Sequence, residues 1–341
     1  MIKKNNFNLL IIFISIFISS YFFSQIHLFE QRAIDAGLVL ANIVKYPDEV
    51  SPMKEYFIKS WTSLHQISQI FLNFNWSFVN ISKLIIFITA TLYFIGIFLT
   101  ISSTTKSIFL SILIAILTLV FQKNFGDTDY PSLVFSEHTY GMISLAMVTC
   151  IFGLLLAGQL FYAGFLSSLL ICIHPLIGVW ISGIIAISLI LNKYYLKTHI
   201  NNKKLIVGYV IGIFFTSISL SYYLFSTADF YSYFDLESYN NYMNFWEGHR
   251  NETEIHFEYF SKTILLLFFI FLSLIIFKNN FTKNFKFGII AILVSIILSS
   301  IFYFLYKFLL PNVPDIFIRL MPSRFTILHS VMGWPIILGI L

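Results

Sequence analysis

The sequence is poor in charge and in cysteine. Charged residues make up 11% of its 341 positions, whereas an ordinary soluble domain has about 25%. A soluble fold of this length needs polar side chains to cover its surface, so the composition excludes a soluble globular protein. The chain has 2 cysteines, which excludes a disulfide-stabilised scaffold, and its apolar content excludes intrinsic disorder.

Apolar and aromatic residues are abundant instead. Hydrophobic types make up 58% of the chain and aromatic types 19%, with 40 phenylalanines. Phe, Ile, Asn, Lys and Tyr are frequent while arginine occurs four times, a bias that indicates an AT-rich bacterial genome. Cys150 and Cys172 both lie inside apolar runs and are interpreted as small apolar side chains rather than as metal ligands.

Ten apolar runs are candidates to cross the hydrocarbon layer, which takes about 20 residues of helix. They are 7–24, 84–103, 107–121, 140–157, 160–173, 176–192, 205–225, 263–277, 287–307 and 326–341. The first run follows two lysines, but no small-residue cleavage site follows it, which favours a retained signal anchor. The predicted fold is therefore all-α, a polytopic transmembrane helical bundle of about ten spans that forms a single domain over 1–341.

The loops between these runs alternate in charge. With the N-terminus in the cytoplasm, every second loop contains lysines and no acidic residue, whereas all 16 Asp and Glu fall in the other loops. Basic residues concentrate in the cytoplasmic loops of membrane proteins. The pattern predicts a multi-pass protein of the bacterial inner membrane with a cytoplasmic N-terminus. It also explains the net charge of +5 without a nucleic-acid partner.

Residues 158–192 admit two interpretations. Pro175 follows His174 midway through the segment, and a proline removes a backbone donor and ends a helix. The segment is predicted to form a helical hairpin that turns at the outer surface, and a single tilted or re-entrant element is the alternative. The last apolar run reaches Leu341 without flanking polar residues, which predicts the N-terminal part of a longer chain.

The first outer segment, 25–83, contains candidate catalytic carboxylates. Asp35 precedes an apolar stretch, and Asp48 and Glu49 lie on a turn next to Pro47. Adjacent carboxylates can bind a hard divalent cation such as Mg²⁺ or Mn²⁺, or accept a proton in catalysis. A solvated turn with a helix N-cap is the alternative interpretation of the pair.

An apolar stripe with a spacing of three and four residues follows this turn, as in an amphipathic helix. Its members are Met53, Phe57, Trp61, Leu64, Ile67 and Phe71. The polar residues of the other face are Lys54, Glu55, Lys59, His65, Gln66 and Gln69. The stripe predicts interfacial amphipathic helices in the first extracytoplasmic loop, with their apolar side toward the lipid.

Candidate substrate-binding residues occur in the middle of the chain. Glu137 and His138 precede the fourth span, where a helix N-terminus favours a carboxylate, although capping and snorkelling explain them equally well. His174 lies in an otherwise apolar run. An ionisable group at such a position predicts either a functional site or a hydrogen bond to water or to a carbonyl freed by Pro175.

The last two outer segments combine aromatic and cationic side chains. Trp246, His249 and Arg250 suit a sugar stacked on a ring with an anion on the guanidinium, and any interfacial belt has a similar composition. Arg319 and Arg324 suggest bidentate recognition of phosphate. Anchoring to lipid headgroups is the alternative for these two arginines.

This arrangement resembles the GT-C superfamily of membrane glycosyltransferases. Members of that superfamily have many spans and a long first outer loop, with interfacial helices and acidic residues that serve the reaction. Here the short first span, the loop 25–83 and Asp48-Glu49 carry the resemblance. The chain from Glu137-His138 to the segment 174–178 (HPLIG) also resembles uncharacterised bacterial multi-span proteins related to the superfamily.

The resemblance implies transfer of a sugar from a lipid-linked sugar phosphate to an acceptor at the outer face. Asp48 or Glu49 would act as a base or hold a divalent cation. Arg319 or Arg324 would neutralise the departing lipid phosphate, and aromatic residues near 242–246 would bind the sugar. A non-catalytic membrane scaffold, or a transporter or lipid-handling protein, is the alternative, although the sequence shows neither polar midplane residues nor the inverted repeats of many transporters.

Overall fold

The structure is a computed structural model that describes most of the chain. The described residues are 6–26, 32–45, 51–105, 107–125, 141–196, 200–228, 235, 237, 238, 241, 245, 257–276, 281–309 and 332–340. Numbered in chain order, their helices are α1 (Asn6–Ile26), α2 (Arg32–Leu40), α3 (Pro52–Lys59), α4 (Ser63–Asn73), α5 (Phe78–Thr105), α6 (Ile108–Phe125), α7 (Gly141–Ala157), α8 (Leu160–Ile173), α9 (Pro175–Leu191), α10 (Asn202–Ser226), α11 (Phe257–Ile276), α12 (Lys283–Leu309) and α13 (Trp334–Ile340). No strand occurs among the described residues, so the predicted all-α class is confirmed for that part of the chain.

Five of these helices are long and apolar enough to cross a membrane. They are Asn6–Ile26, Phe78–Thr105, Pro175–Tyr194, Asn202–Ser226 and Lys283–Phe302. Three shorter apolar helices coincide with further predicted spans, namely Ile108–Val120, Ile143–Ala157 and Leu160–Ile173. Several long apolar helices are what a multi-pass membrane protein requires, and the total of ten spans stays a prediction.

Helices α1 and α5 run in opposite directions. Phe17 of α1 packs edge-on against Phe87 of α5, with ring centroids 5.7 Å apart. Lys83 Nζ donates a hydrogen bond to Gln25 Oε1 at 2.8 Å. Because the end of α1 meets the start of α5, both lie at one end of the bundle. We call it the loop end, since α2, α3 and α4 lie between these two helices in the chain.

A close crossing of α5 and α7 occupies the centre of the bundle. A Cβ added at Gly96 of α5 would lie 2.5 Å from the backbone oxygen of Thr149 and 2.6 Å from the nitrogen of Cys150. Small residues let two backbones approach this closely, and van der Waals packing is a main attraction between helices in a membrane. Leu92 of α5 packs against both large apolar clusters of the bundle, so the crossing connects the two.

Helices α8 and α9 are separated at His174, as Pro175 predicts. His174 has an extended backbone with φ −144° and ψ 92°, and Pro175 begins α9. A Cβ added at Gly178 would overlap the backbone of Ile171. Residues seven apart in one continuous helix are about 10 Å apart, so the chain reverses between them. The segment therefore forms the predicted helical hairpin rather than a single tilted element.

Helices α8 and α10 are parallel and closely packed. Gly208 lies against Phe161, and eight residues later Thr216 Oγ1 donates to Ser168 O at 2.9 Å. The contacts advance in the same direction along both helices, which makes them parallel. Gly208, Gly212 and Thr216 are spaced by four residues and form the row of small side chains that such close packing requires.

The opposite end of the bundle carries lysines. Gly158, after α7, lies against Asn284 at the start of α12, and the start of α10 meets the start of α8 there. The described segments that meet at this end contain no Asp or Glu, in keeping with the charge separation in the sequence. Their exposed cationic side chains are Lys193, Lys203, Lys204 and Lys283.

Candidate functional site

Helix α3 places a carboxylate inside the protein. Ser51 caps the helix by accepting a hydrogen bond from Lys54 N at 3.4 Å, and Pro52 occupies the first turn, where a backbone N–H has no partner in the helix. One turn further, Glu55 is 2% exposed and forms an ion pair with Lys59. A buried carboxylate requires a charged or hydrogen-bonding partner, and Lys59 supplies one.

The connector between α3 and α4 packs on the end of α8. Thr62 caps α4 because its Oγ1 accepts from Leu64 N at 3.2 Å. The same hydroxyl donates to Ile173 O at 2.7 Å. The last carbonyls of a helix lack partners within that helix, and Ile173 is the last residue of α8. The Thr62 bond therefore holds the first loop against the peptide that leads into His174.

Helix α4 and the preceding Trp61 are joined to α10 by hydrogen bonds of their side chains. Gln66 Nε2 donates to Ser219 O, and Ser219 Oγ donates to Gln66 Oε1, both at 2.7 Å. Trp61 Nε1 donates to the Ser219 hydroxyl at 3.2 Å. Tyr222 OH donates to Gln69 Oε1 at 3.1 Å. We call the contact of Trp61, Gln66 and Gln69 with Ser219 and Tyr222 the α4–α10 seam.

Two further contacts make α2, α3 and α4 one attached unit. Tyr223 OH of α10 donates to Lys59 O at 2.7 Å. Gln69 Nε2 donates to a backbone carbonyl of α2 at 2.9 Å. Gly37 of α2 lies against α4 so closely that an added Cβ would be 2.6 Å from Ser68 Cβ. The loop helices thus contact one another and the bundle over several turns.

The polar side of α4 faces the protein, and part of its apolar side faces outward. Gln66 is 8% exposed and His65 is 1% exposed, whereas Ile67 is 39% and Ile70 is 43% exposed. The sequence predicts an apolar side toward the lipid, with His65 and Gln66 on the opposite face, whereas the structure buries these two polar side chains in the protein. The sequence stripe also continued without a break, whereas the structure has an extended Ser60 between α3 and α4. Gln66 has its hydrogen-bond partner in Ser219 of α10, and a polar group that is buried with such a partner costs little.

His65 lies in the interior of this unit. Burial removes water from the ring and lowers the pKa of His65 to about 3, below its ordinary value of 6.5. The backbone of Ser60 and Phe57 accepts hydrogen bonds from the ring, which opposes this shift in pKa. Because the pKa is so low, the imidazole is neutral at neutral pH, and it joins α4 to the preceding turns of the chain.

Two of the predicted site residues lie among the described residues. Asp35 is exposed in the first turn of α2, where the positive end of a helix dipole favours a carboxylate. His174 is half-buried at the α8–α9 turn, next to the carbonyl that Thr62 contacts. The other predicted site residues lie outside the described residues and stay predictions: Asp48, Glu49, Glu137, His138, Trp246, His249, Arg250, Arg319 and Arg324. The structure thus brings the first loop to the His174 turn.

Sequence reasoning missed the contribution of α10. The segment 217–223 reads SISLSYY, with hydroxyls near the end of an apolar span. Polar side chains in membrane helices form hydrogen bonds to neighbouring helices, so this segment is the signal that predicts a polar partner. Sequence periodicity groups Glu55, Gln66 and His65 on one polar face, but it does not identify which side of a helix a neighbour covers.

In the part of the chain that the structure describes, the loop end offers neutral hydrogen-bonding groups beside aromatic rings, together with the ion pair of Glu55 and Lys59. Among the described residues, no group of three or more His, Cys, Asp or Glu could hold a metal ion. The predicted divalent-cation ligands, Asp48 and Glu49, lie outside those residues. Amide, hydroxyl and indole groups next to aromatic rings suit the recognition of a ligand with both polar and apolar parts.

Comparisons with known proteins add no assignment to this geometry. No family model, curated protein or solved structure matches the chain.

Proposed function

We propose that this protein is a GT-C-like membrane glycosyltransferase that takes a sugar from a lipid-linked sugar phosphate at the extracytoplasmic face. The observation that supports the proposal most is the bond from Thr62 Oγ1 to Ile173 O. It holds the loop that contains the predicted carboxylates against the turn that contains His174. A reaction on a lipid-linked substrate requires polar groups from loop and bundle at one depth, next to the bilayer.

The proposed catalytic groups follow from this contact. Asp48 and Glu49 precede the Ser51 cap of α3 by three and two residues in the sequence. In the proposal they activate the acceptor hydroxyl, alone or through a divalent cation. Arg324 neutralises the phosphate that leaves with the lipid, as a preorganised cation does for a developing anion. His174 contributes a hydrogen bond at the membrane surface.

The proposal includes ten spans and a cytoplasmic N-terminus. Cysteine substitutions at Asn201 and Asn241 test this topology, because both side chains are exposed and the two positions are predicted to lie on opposite sides. We expect a membrane-impermeant maleimide to label Asn241→Cys in intact cells, and to label Asn201→Cys after permeabilisation. Labelling of both variants from outside would contradict the topology. The native cysteines, 2% and 5% exposed, should contribute little background.

The proposal also places the loop helices at the level of the membrane interface. We propose that α4 lies in the interface, with Ile67, Ile70 and Trp76 toward the lipid. These side chains are 39–43% exposed, and Trp is common at this level of a membrane protein. A membrane-embedded quencher is expected to quench a fluorophore at Ile70→Cys more than one at Lys54→Cys. Equal quenching at both positions would contradict the interfacial placement.

Transfer activity tests the function itself. The protein is purified with native lipids, and bound lipid-linked sugars are identified by mass spectrometry before transfer to an acceptor is measured. We expect the double variant Asp48→Asn, Glu49→Gln to lose transfer and to stay monodisperse, because both substitutions keep the size of the side chain and remove its charge. Glu237→Gln, which changes an exposed carboxylate, is the matched control and should retain activity.

Two outcomes would contradict the assignment of these carboxylates. Full transfer in the double variant would show that neither residue is catalytic. Failure of the double variant to fold would assign the pair to structure. Arg324→Lys separately tests the donor site, because an ammonium group cannot make the bidentate contact of a guanidinium. We expect a higher KM for the lipid-linked donor, with a smaller change in kcat.

A further inference from the structure

The bundle contains two different kinds of contact around α10. Along its first half, α10 packs backbone to backbone against α8, at Gly208 and Gly212. Such a contact leaves no space between the helices and cannot admit another molecule. Beyond Thr216, α10 contacts the loop helices through hydrogen bonds of polar side chains rather than through close backbone packing. The α4–α10 seam is therefore the less tightly packed contact.

The seam leads from an exposed mouth to a buried interior. Tyr222 is 40% exposed at the mouth, and Gln66 is 8% exposed further in. On the same part of α10, Ile218, Leu224 and Phe225 are 50%, 57% and 83% exposed. Large exposed apolar side chains on a span of this kind face lipid. The mouth of the seam therefore opens next to the lipid-facing side of α10.

The groups in the seam are suited to exchange their partners. Gln66 and Gln69 offer amides, Ser219 and Tyr222 offer hydroxyls, and Trp61 offers an indole N–H. Each is a neutral donor or acceptor, and a hydroxylated ligand can replace every one of these bonds. Separation of the seam would thus leave no buried polar group unsatisfied once such a ligand is bound. An apolar contact provides no such replacement.

We propose that the α4–α10 seam is a lateral opening through which the polyhydroxylated head of a membrane lipid enters the bundle. This inference rests on the proposed function, because it gives the lipid-linked sugar its route from the bilayer to the site. Neutral donors and acceptors match sugar hydroxyls, and the aromatic rings of Trp61 and Tyr222 provide faces for a sugar ring. The seam leads toward Thr62 and the His174 turn.

A reversible crosslink across the mouth tests the opening. Gln69→Cys and Tyr222→Cys are introduced together and bridged with a short reducible bis-thiosulfonate. The matched control is Gln25→Cys with Lys83→Cys, which bridges α1 and α5 at the same end, where the native side chains also form a hydrogen bond at 2.8 Å. The probe is a polyprenyl-phosphate sugar with a diazirine on the sugar, in the full chain in nanodiscs.

We expect the probe to label α4 and the end of α10. The seam crosslink should reduce this labelling at least fivefold, and reductant should restore it. The control crosslink should leave labelling unchanged. Equal labelling with and without the seam crosslink, or an equal reduction by the control crosslink, would overturn the proposal. Equal labelling by a diazirine phospholipid that lacks a sugar would overturn the assignment of a polyhydroxylated ligand.

Failure of the seam and failure of the transferase are distinguishable. Labelling that the crosslink blocks, without sugar transfer to any acceptor, supports the seam and contradicts the proposed function. Sugar transfer that persists with the seam crosslinked supports the transferase and contradicts the seam. A second pair of variants gives the opposite perturbation. Ser219→Ala weakens the seam and should increase labelling. Thr216→Val lies one turn away, where the native hydroxyl bonds to α8, and should leave labelling unchanged. Unchanged labelling in Ser219→Ala would also contradict the proposal.

Discussion

Replacing Gly96 by alanine adds a single methyl group at the crossing of α5 and α7. The new Cβ would lie 2.5 Å from the backbone oxygen of Thr149 and 2.6 Å from the nitrogen of Cys150. Ordinary van der Waals contact begins at 3.4 Å, so the two helices must separate by roughly 0.9 Å along this line. Both neighbours are backbone atoms of a helix and cannot rotate away as a side chain would.

The size of the effect follows from two opposing contributions. A gap of 0.5–1 Å removes about a quarter to a half of each dispersion contact that it opens, and overpacking of this kind typically costs about 1–3 kcal/mol. Alanine also favours the helix over glycine by about 1 kcal/mol. Gly183→Ala isolates the second contribution, because an added Cβ at Gly183 of α9 meets nothing within 4 Å. Gly96→Ala should therefore be about 1–3 kcal/mol less stable than Gly183→Ala.

Thermal unfolding of both variants in the same detergent provides the measurement. A difference of 1 kcal/mol corresponds to about 2–4 °C in a protein of several hundred residues. We expect Gly183→Ala to unfold at or slightly above the temperature of the parent protein, and Gly96→Ala to unfold several degrees below Gly183→Ala. Equal midpoints for the two variants would refute the backbone contact between α5 and α7.

Two further predictions concern the loop end. In a double-mutant cycle, Gln66→Ala and Ser219→Ala should each destabilise the protein by about 1–3 kcal/mol, because each leaves a partner in the seam without its hydrogen bond. The two effects should fall short of additivity by about 1 kcal/mol. Additive effects in detergent unfolding would contradict the seam. Because the folded pKa of His65 is about 3 and the unfolded value is about 6.5, protonation favours the unfolded state as pH falls through this interval. The contribution of His65 to the free energy of unfolding should be constant above about pH 6.5 and fall by about 1.4 kcal/mol per pH unit below it. His65→Gln should remove that slope between about pH 6.5 and about pH 5. An unchanged slope would contradict the buried neutral ring.

Particular residues show how much of the fold is readable from sequence. Pro175 predicts the end of α8 and the hairpin because a missing N–H acts within its own chain segment. Long apolar runs predict α1, α5, α9, α10 and α12, since the length needed to cross a membrane is a property of one segment. Lysines such as Lys193 and Lys203 predict a common end of the bundle, because the charge of a loop depends on the side of the membrane on which it lies.

The candidate site was readable in part. Sequence reasoning found the first loop and His174, and the structure brings the two together through Thr62. It did not find Ser219 or Tyr222, because the contact joins residues about 150 positions apart. No local pattern encodes which two distant helices will be neighbours. The carboxylates Asp48 and Glu49 stay sequence predictions.

Helix α4 separates what the sequence determined from what the tertiary structure decided. Periodicity alone determined that a helix forms there and that it has a polar and an apolar side. Which side faces the protein depends on the helices that pack against α4, and α8 and α10 among them are distant in the sequence. Ser219 on α10 supplies both hydrogen-bond partners of Gln66. They make the interior favourable for Gln66, while Ile70 is left at the surface.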